Sequence, residues 1–137
     1  MAEAKITWKG GIKFEGISRF GVPIVLDGEK ENGGEEVGYS PSQLVLFGLI
    51  GCTGIDIVMI LKKMRQKLTA LEIEAIATQP ETYPKPFERI EIVYKVSGEN
   101  LDEERVRHAV ELSEEKYCVV SHTLKRTTEI TYRIEIS

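Results

Sequence analysis

Basic residues, cysteines and histidines are all in short supply. Lys and Arg total 18 against 22 Asp and Glu, which leaves a net charge of −4 and a pI near 5.3. With no basic cluster interleaved with aromatics either, nucleic acid is a poor partner. There are two cysteines and two histidines. His122 follows Cys118 by four residues, but two ligands do not make a metal site, so no metal is expected. The run MAEAKITWKG passes straight into an alternating pattern, so no secretory leader is expected. Two cysteines in such a chain point to a reducing, cytoplasmic compartment, with thiols kept for chemistry or packing. No internal repeat, low-complexity tract or second domain is visible, and residues 1–137 read as one domain, small enough to gain from oligomerising.

Long apolar runs are limited to one, Leu44 to Leu61, at 18 residues the short end for a membrane span. Asp56 sits near its middle and would cost about 2.5–3.5 kcal/mol in a bilayer. The run is therefore read as a buried helix, and no membrane partner is expected. It lies within Ser40 to Lys67, around which the chain is organised. Ser40 is placed to cap, Pro41 suits the first helical position, and Gln43 completes a capping box. Lys62, Lys63, Arg65 and Lys67 crowd the last turns, most simply as a solvated, dipole-complementing end. Gly48, Gly51 and Gly54 recur every third residue around Cys52. Each glycine costs roughly 1 kcal/mol against alanine in a helix, so close approach of a helix or a substrate is expected there.

Three short strands precede this helix: Ala4–Lys9 and Ile12–Gly16, joined by Gly10-Gly11, then Val22–Asp27, an edge by Pro23. Strands at Leu71–Thr78 and Glu88–Ser97 follow it. Asn100 is placed to cap a second helix running to about Lys116, with Val106, Ala109 and Val110 inward. Tyr117–Leu124 is a turn or helical piece, and Arg126–Ile136 closes as a strand. The order is βββ-α-ββ-α-β, an α+β fold. A sheet covers one side of an all-apolar helix, so the remaining side predicts a homodimer with central helices back to back along the glycines.

Cys52 is the sharpest candidate for chemistry. A buried structural cysteine is the alternative, since free cysteine is among the most buried residue types. The flanking glycines and Thr53 leave room beside the sulfur, and Cys118 provides a second thiol outside the core helix. Asp56, one turn from Cys52, would raise the thiol's pKa if bare, so a reactive thiolate needs a cation nearby. Asp56 itself is read as a structural partner for a lysine or a backbone amide. Trp8 and Phe14 are read as core residues of the first hairpin, and His108 lies on a surface helix. A Cys118–His122 hydrolase pair lacks an orienting third group.

Ser40-Pro41 ahead of an apolar helix holding Gly51-Cys52, with Lys116-Tyr117-Cys118-Val119-Val120-Ser121 one helix later, resembles the OsmC/Ohr family of thiol peroxidases over the whole chain. The resemblance implies antiparallel sheets wrapped around long central helices in an intertwined homodimer, with active sites at the subunit interface and no cofactor. It implies that Cys52 is the peroxidatic thiol and Cys118 the resolving one, with an organic hydroperoxide as substrate and a lipoyl-like or thioredoxin-like dithiol as reductant. The family's arginine maps to Arg19. Its glutamate, ten residues before the peroxidatic cysteine, is replaced here by Ser42, and the Gly-Cys-Thr-Gly-Ile-Asp run resembles a divergent branch. Glu35 or Glu36 could hold the arginine instead, and Leu46, Phe47, Leu49 and Ile50 would form an apolar wall. A non-catalytic small-molecule binding protein of the same fold is the alternative function.

Overall fold

The computed structural model describes residues 2–137. The described elements follow the expected α+β order: β1 (Ile6–Trp8), β2 (Phe14–Ile17), β3 (Pro23–Leu26), α1 (Pro41–Lys63), β4 (Lys67–Thr78), β5 (Arg89–Glu99), α2 (Glu103–Leu112), α3 (Val119–Leu124) and β6 (Glu129–Ile136). The chain divides into two compact units, one up to Leu46 and one over Phe47–Ser137.

The first unit carries an antiparallel sheet in the order β1-β2-β3, with Pro23 on an edge strand as its missing N–H requires. The β1–β2 connection is longer than the expected two residues. Lys9 N–H donates to Lys13 O at 2.8 Å, so Gly10, Gly11 and Ile12 all lie in the loop, with φ of 97° and 55° at the glycines. Trp8 is not a core residue: it is 63% exposed, and its indole N–H donates to Gly11 O at 2.9 Å. That bond ties the ring to the turn. Phe14, its cross-strand partner, is half-buried. The polar loop after β3 is folded around Asp27, whose carboxylate accepts from the N–H groups of Gly28, Glu35 and Val37.

α1 starts as the sequence indicates, with Ser40 Oγ accepting from Gln43 N–H at 3.2 Å. It stops earlier than expected. Arg65 takes the left-handed conformation at φ 58°, Gln66 N–H donates to Leu61 O, and Arg65 N–H to Lys62 O, the Schellman pattern. Arg65 and Lys67 are therefore outside the helix, and Lys67 opens β4, paired with Glu99 at 2.9 Å. One stripe of α1 (Leu49, Thr53, Ile57, Leu61) is fully buried. The other side, with Phe47, Ile55, Val58 and Met59, is exposed, so burial inside this chain covers one face only. By length and composition α1 could cross a membrane, and 28% of its most apolar stretch is buried. The glycines divide likewise. A Cβ on Gly54 would lie 3.0 Å from Ile73 Cδ1 of β4, whereas one on Gly48 or Gly51 would meet nothing within 4 Å.

The second unit holds the sheet β4-β5-β6. β4 pairs antiparallel with β5, but β6 runs parallel to it, with Ile92 opposite Tyr132 and Tyr94 opposite Ile134. Only antiparallel pairing was expected. The crossover through α2 and α3 returns the chain to the same end of the sheet, as a parallel pair requires. Ile90, Ile92, Tyr94 and Val96 of the central strand are fully buried. The cap of α2 is Asp102 rather than Asn100: its Oδ1 accepts from Glu104 and Arg105 N–H, while Asn100 sits in the preceding turn at φ 52°. Val106, Ala109 and Val110 face inward as their spacing indicates. The helix then widens into a π turn, Ser113–Tyr117, that leads to Cys118 and α3.

Candidate active site

Cys52 and Cys118, remote in sequence, meet in the second unit. Cys52 directly precedes Thr53 of the buried stripe of α1, which leaves its side chain half-buried at the edge of that stripe. Cys118 is fully buried at the start of α3, and its sulfur accepts from Ser121 N–H at 3.2 Å. Burial pushes the Cys118 thiol up to about 12, and a hydrogen bond with the Cys52 sulfur adds to the rise. Both cysteines are free thiols. The arrangement sets a reachable sulfur beside a buried, protonated one.

Two polar residues beside the pair, Glu114 and Tyr94, escaped the sequence reading. Glu114 is buried, and both its carboxylate oxygens are occupied: Tyr94 OH donates to Oε1 at 2.5 Å and Ser121 Oγ to Oε2 at 3.2 Å. Burial pushes the Glu114 carboxyl up, and these two donors act against it. The Tyr94 hydroxyl is raised by burial first and by Glu114 second, and it is in hydrogen-bonding reach of the Thr53 side chain. Two signals could have found the cluster. A tyrosine on the apolar face of a strand needs a partner for its hydroxyl. Glu114 also lies four residues after Val110, so it continues the inward stripe of α2 into the π turn.

Asp56 partners neither a lysine nor a backbone amide but the buried Ser113 hydroxyl, which donates to Oδ2 at 2.9 Å. His122 donates its backbone N–H to Cys118 O, and its Nε2 is buried without a hydrogen-bond partner. His108 is exposed on α2. Among the described residues no group of three or more His, Cys, Asp or Glu side chains is placed to hold a metal ion. The expected apolar wall is not a unit. Leu49 belongs to the core, while Phe47 and Ile50 line an open groove with Gly51, Gly54 and Ile73.

Arg19 belongs to the first unit, in the turn between β2 and β3, with its guanidinium 4.8 Å from the Phe20 ring centroid. Neither Glu35 nor Glu36 holds it. Glu35 is 2.6 Å from Lys13 Nζ, and Glu36 accepts from Lys30 N–H. Ser42 is exposed in the first turn of α1.

Comparison with known proteins agrees with this architecture. The family model for OsmC-like protein matches residues 32–133. Protein YhfA of Escherichia coli K12 is 36% identical over 134 residues, covering 98% of this chain and 97% of its own. A hypothetical protein from Aquifex aeolicus VF5 superposes with a TM-score of 0.87 at 31% identity, over 100% of this chain and 96% of that one. The organic hydroperoxide resistance protein OhrB of Bacillus subtilis shares the fold, with a TM-score of 0.60 at 20% identity over 99% and 98% of the two chains. By the family model over residues 32–133 and the 36% identical relative, the chain belongs to the OsmC-like protein family.

Proposed function

We propose that this protein is a cysteine-dependent peroxidase that reduces organic hydroperoxides to alcohols. The observation that carries the reading is the placement of the half-buried Cys52 thiol beside the buried Cys118 thiol. The Cys52 thiolate attacks the distal peroxide oxygen, the O–O bond breaks, the alkoxide leaves as alcohol on taking a proton, and Cys52 becomes a sulfenic acid. The Cys118 sulfur then attacks the Cys52 sulfur. An S–S bond forms, the S–OH bond breaks, and the hydroxyl leaves as water with the proton that Cys118 gives up. A dithiol, lipoyl-like or thioredoxin-like, takes the oxidising equivalents and restores both thiols.

In this reading the whole chain acts as one OsmC-like domain in the cytoplasm, where disulfides are catalytic rather than structural. Arg19 would supply the cation that stabilises the Cys52 thiolate and orients the peroxide. Two copies would pack their α1 helices together, covering the exposed apolar side and using the open space at Gly48 and Gly51. The experiment is one equivalent of cumene hydroperoxide added to reduced protein, followed by mass detection. We expect a Cys52–Cys118 disulfide, lost along with dithiol-dependent turnover in Cys52→Ser. Turnover unchanged in that variant would overturn the proposal, and no reaction at all would favour a binding protein of the same fold.

A further inference from the structure

Glu114 has no part in the two sulfur steps, yet its polar contacts lead to both sulfurs. One carboxylate oxygen accepts from Ser121 Oγ, and the backbone N–H of the same Ser121 donates to Cys118 Sγ. The other accepts from Tyr94 OH, which reaches the side chain of Thr53, the neighbour of Cys52 in α1. The hydrogen bonds run from Tyr94 through Glu114 and Ser121 to Cys118, and Thr53, whose hydroxyl donates to Ile50 O at 3.2 Å, and Cys52 stand beside the two ends of that chain. Tyr94, Thr53, Ser121 and Cys118 are fully buried, and Glu114 is 6% exposed. The groups that face Glu114 are Tyr94, Ser121, His122 and Lys125, whose Nζ donates to Glu114 O at 3.2 Å. A carboxyl in such a core pays for desolvation, and an apolar side chain of similar volume would fill the space without that cost. What an apolar residue cannot do is hold two hydroxyls, on a strand and on a short helix, in one fixed relation.

We infer that Glu114 is a positioning residue for the thiol pair, holding Cys118 through Ser121 and the Cys52 turn through Tyr94 and Thr53, so that the two sulfurs stay in bonding register. The inference builds on the redox reading of this site, but it concerns how readily the pair closes, whichever oxidant drives closure. A fixed pair closes with a high effective concentration, and a loosened pair competes poorly with an external thiol.

The test is the equilibrium of the intact protein with glutathione, after closure by diamide. Diamide takes two electrons and two protons from the thiols as its N=N bond is reduced to the hydrazine. Native protein is compared with Glu114→Leu, Glu114→Gln and Ser121→Ala, with folding followed by circular dichroism and Cys52 alkylation by iodoacetamide as control. We expect the equilibrium constant for the Cys52–Cys118 disulfide to fall at least tenfold in Glu114→Leu and Ser121→Ala. Glu114→Gln, which keeps an acceptor and a donor, stays within threefold of native, and alkylation stays within twofold. A native-like constant in Ser121→Ala, or Glu114→Gln as impaired as Glu114→Leu, overturns the inference. Should Glu114→Leu not fold, Ser121→Ala and Glu114→Gln decide. Native protein that closes with diamide but not with cumene hydroperoxide would sink the peroxidase reading and leave the positioning role standing.

Discussion

Asp56 Oδ2 accepts a hydrogen bond from Ser113 Oγ at 2.9 Å, which pins the middle of α1 to the start of the π turn that leads to Cys118. The only charged residue of the apolar run is thus used to hold one cysteine-bearing segment against the other. Asp56→Ala leaves the fully buried Ser113 hydroxyl without an acceptor. It should cost about 1–3 kcal/mol in urea unfolding, with Asp56→Asn closer to native. A loss under 0.5 kcal/mol, within the range of an ordinary surface substitution, would refute the pin.

Cys118→Ser separates the two sulfur steps. Cys52 should still consume one equivalent of cumene hydroperoxide, but no disulfide can close. Excess peroxide should then carry Cys52 on to sulfinic acid, visible by mass. A disulfide-independent enzyme with native steady-state turnover would contradict the resolving role.

Asp27 ties the loop after β3 to three backbone N–H groups. That of Gly28 weighs most in holding its carboxyl below the usual carboxylate range, with Glu35, Val37 and the Lys13 charge adding to it. A carboxyl with a lowered folded pKa stabilises the fold above its unfolded value and loses that contribution as pH falls through the folded one. The melting temperature of native protein should therefore exceed that of Asp27→Asn at pH 7, and the gap should shrink steadily below pH 4. A gap independent of pH would contradict this assignment.

Ile55 is 65% exposed near the centre of the open side of α1. If two copies meet there, Ile55→Glu sets a charge against an apolar partner and should convert a dimer to a monomer in sedimentation velocity. A variant that sediments as the native protein does would place the contact elsewhere.

Much of the fold could be read from local pattern. Period-two alternation located β4, β5 and β6, though β4 begins at Lys67 rather than Leu71, Gly10-Gly11 located the first hairpin, Ser40-Pro41 located the start of α1, and the inward spacing of Val106, Ala109 and Val110 oriented α2, because these are properties of neighbouring residues. Boundaries that depend on competing local bonds were less legible. Asp102 rather than Asn100 caps α2, and a left-handed Arg65 ends α1 short of Lys67. The site was half legible: the two cysteines stand out by chemistry, Glu114 and Tyr94 do not.

The sequence by itself determined which segments form helix and strand and which two sulfurs are available. Only the tertiary structure decided that β6 lies parallel to β5, that Cys118 is buried against Cys52, and that Glu114 and Tyr94 meet beside them. Those outcomes depend on contacts between residues far apart in the chain, where a buried polar group takes whichever partner the packing brings within reach.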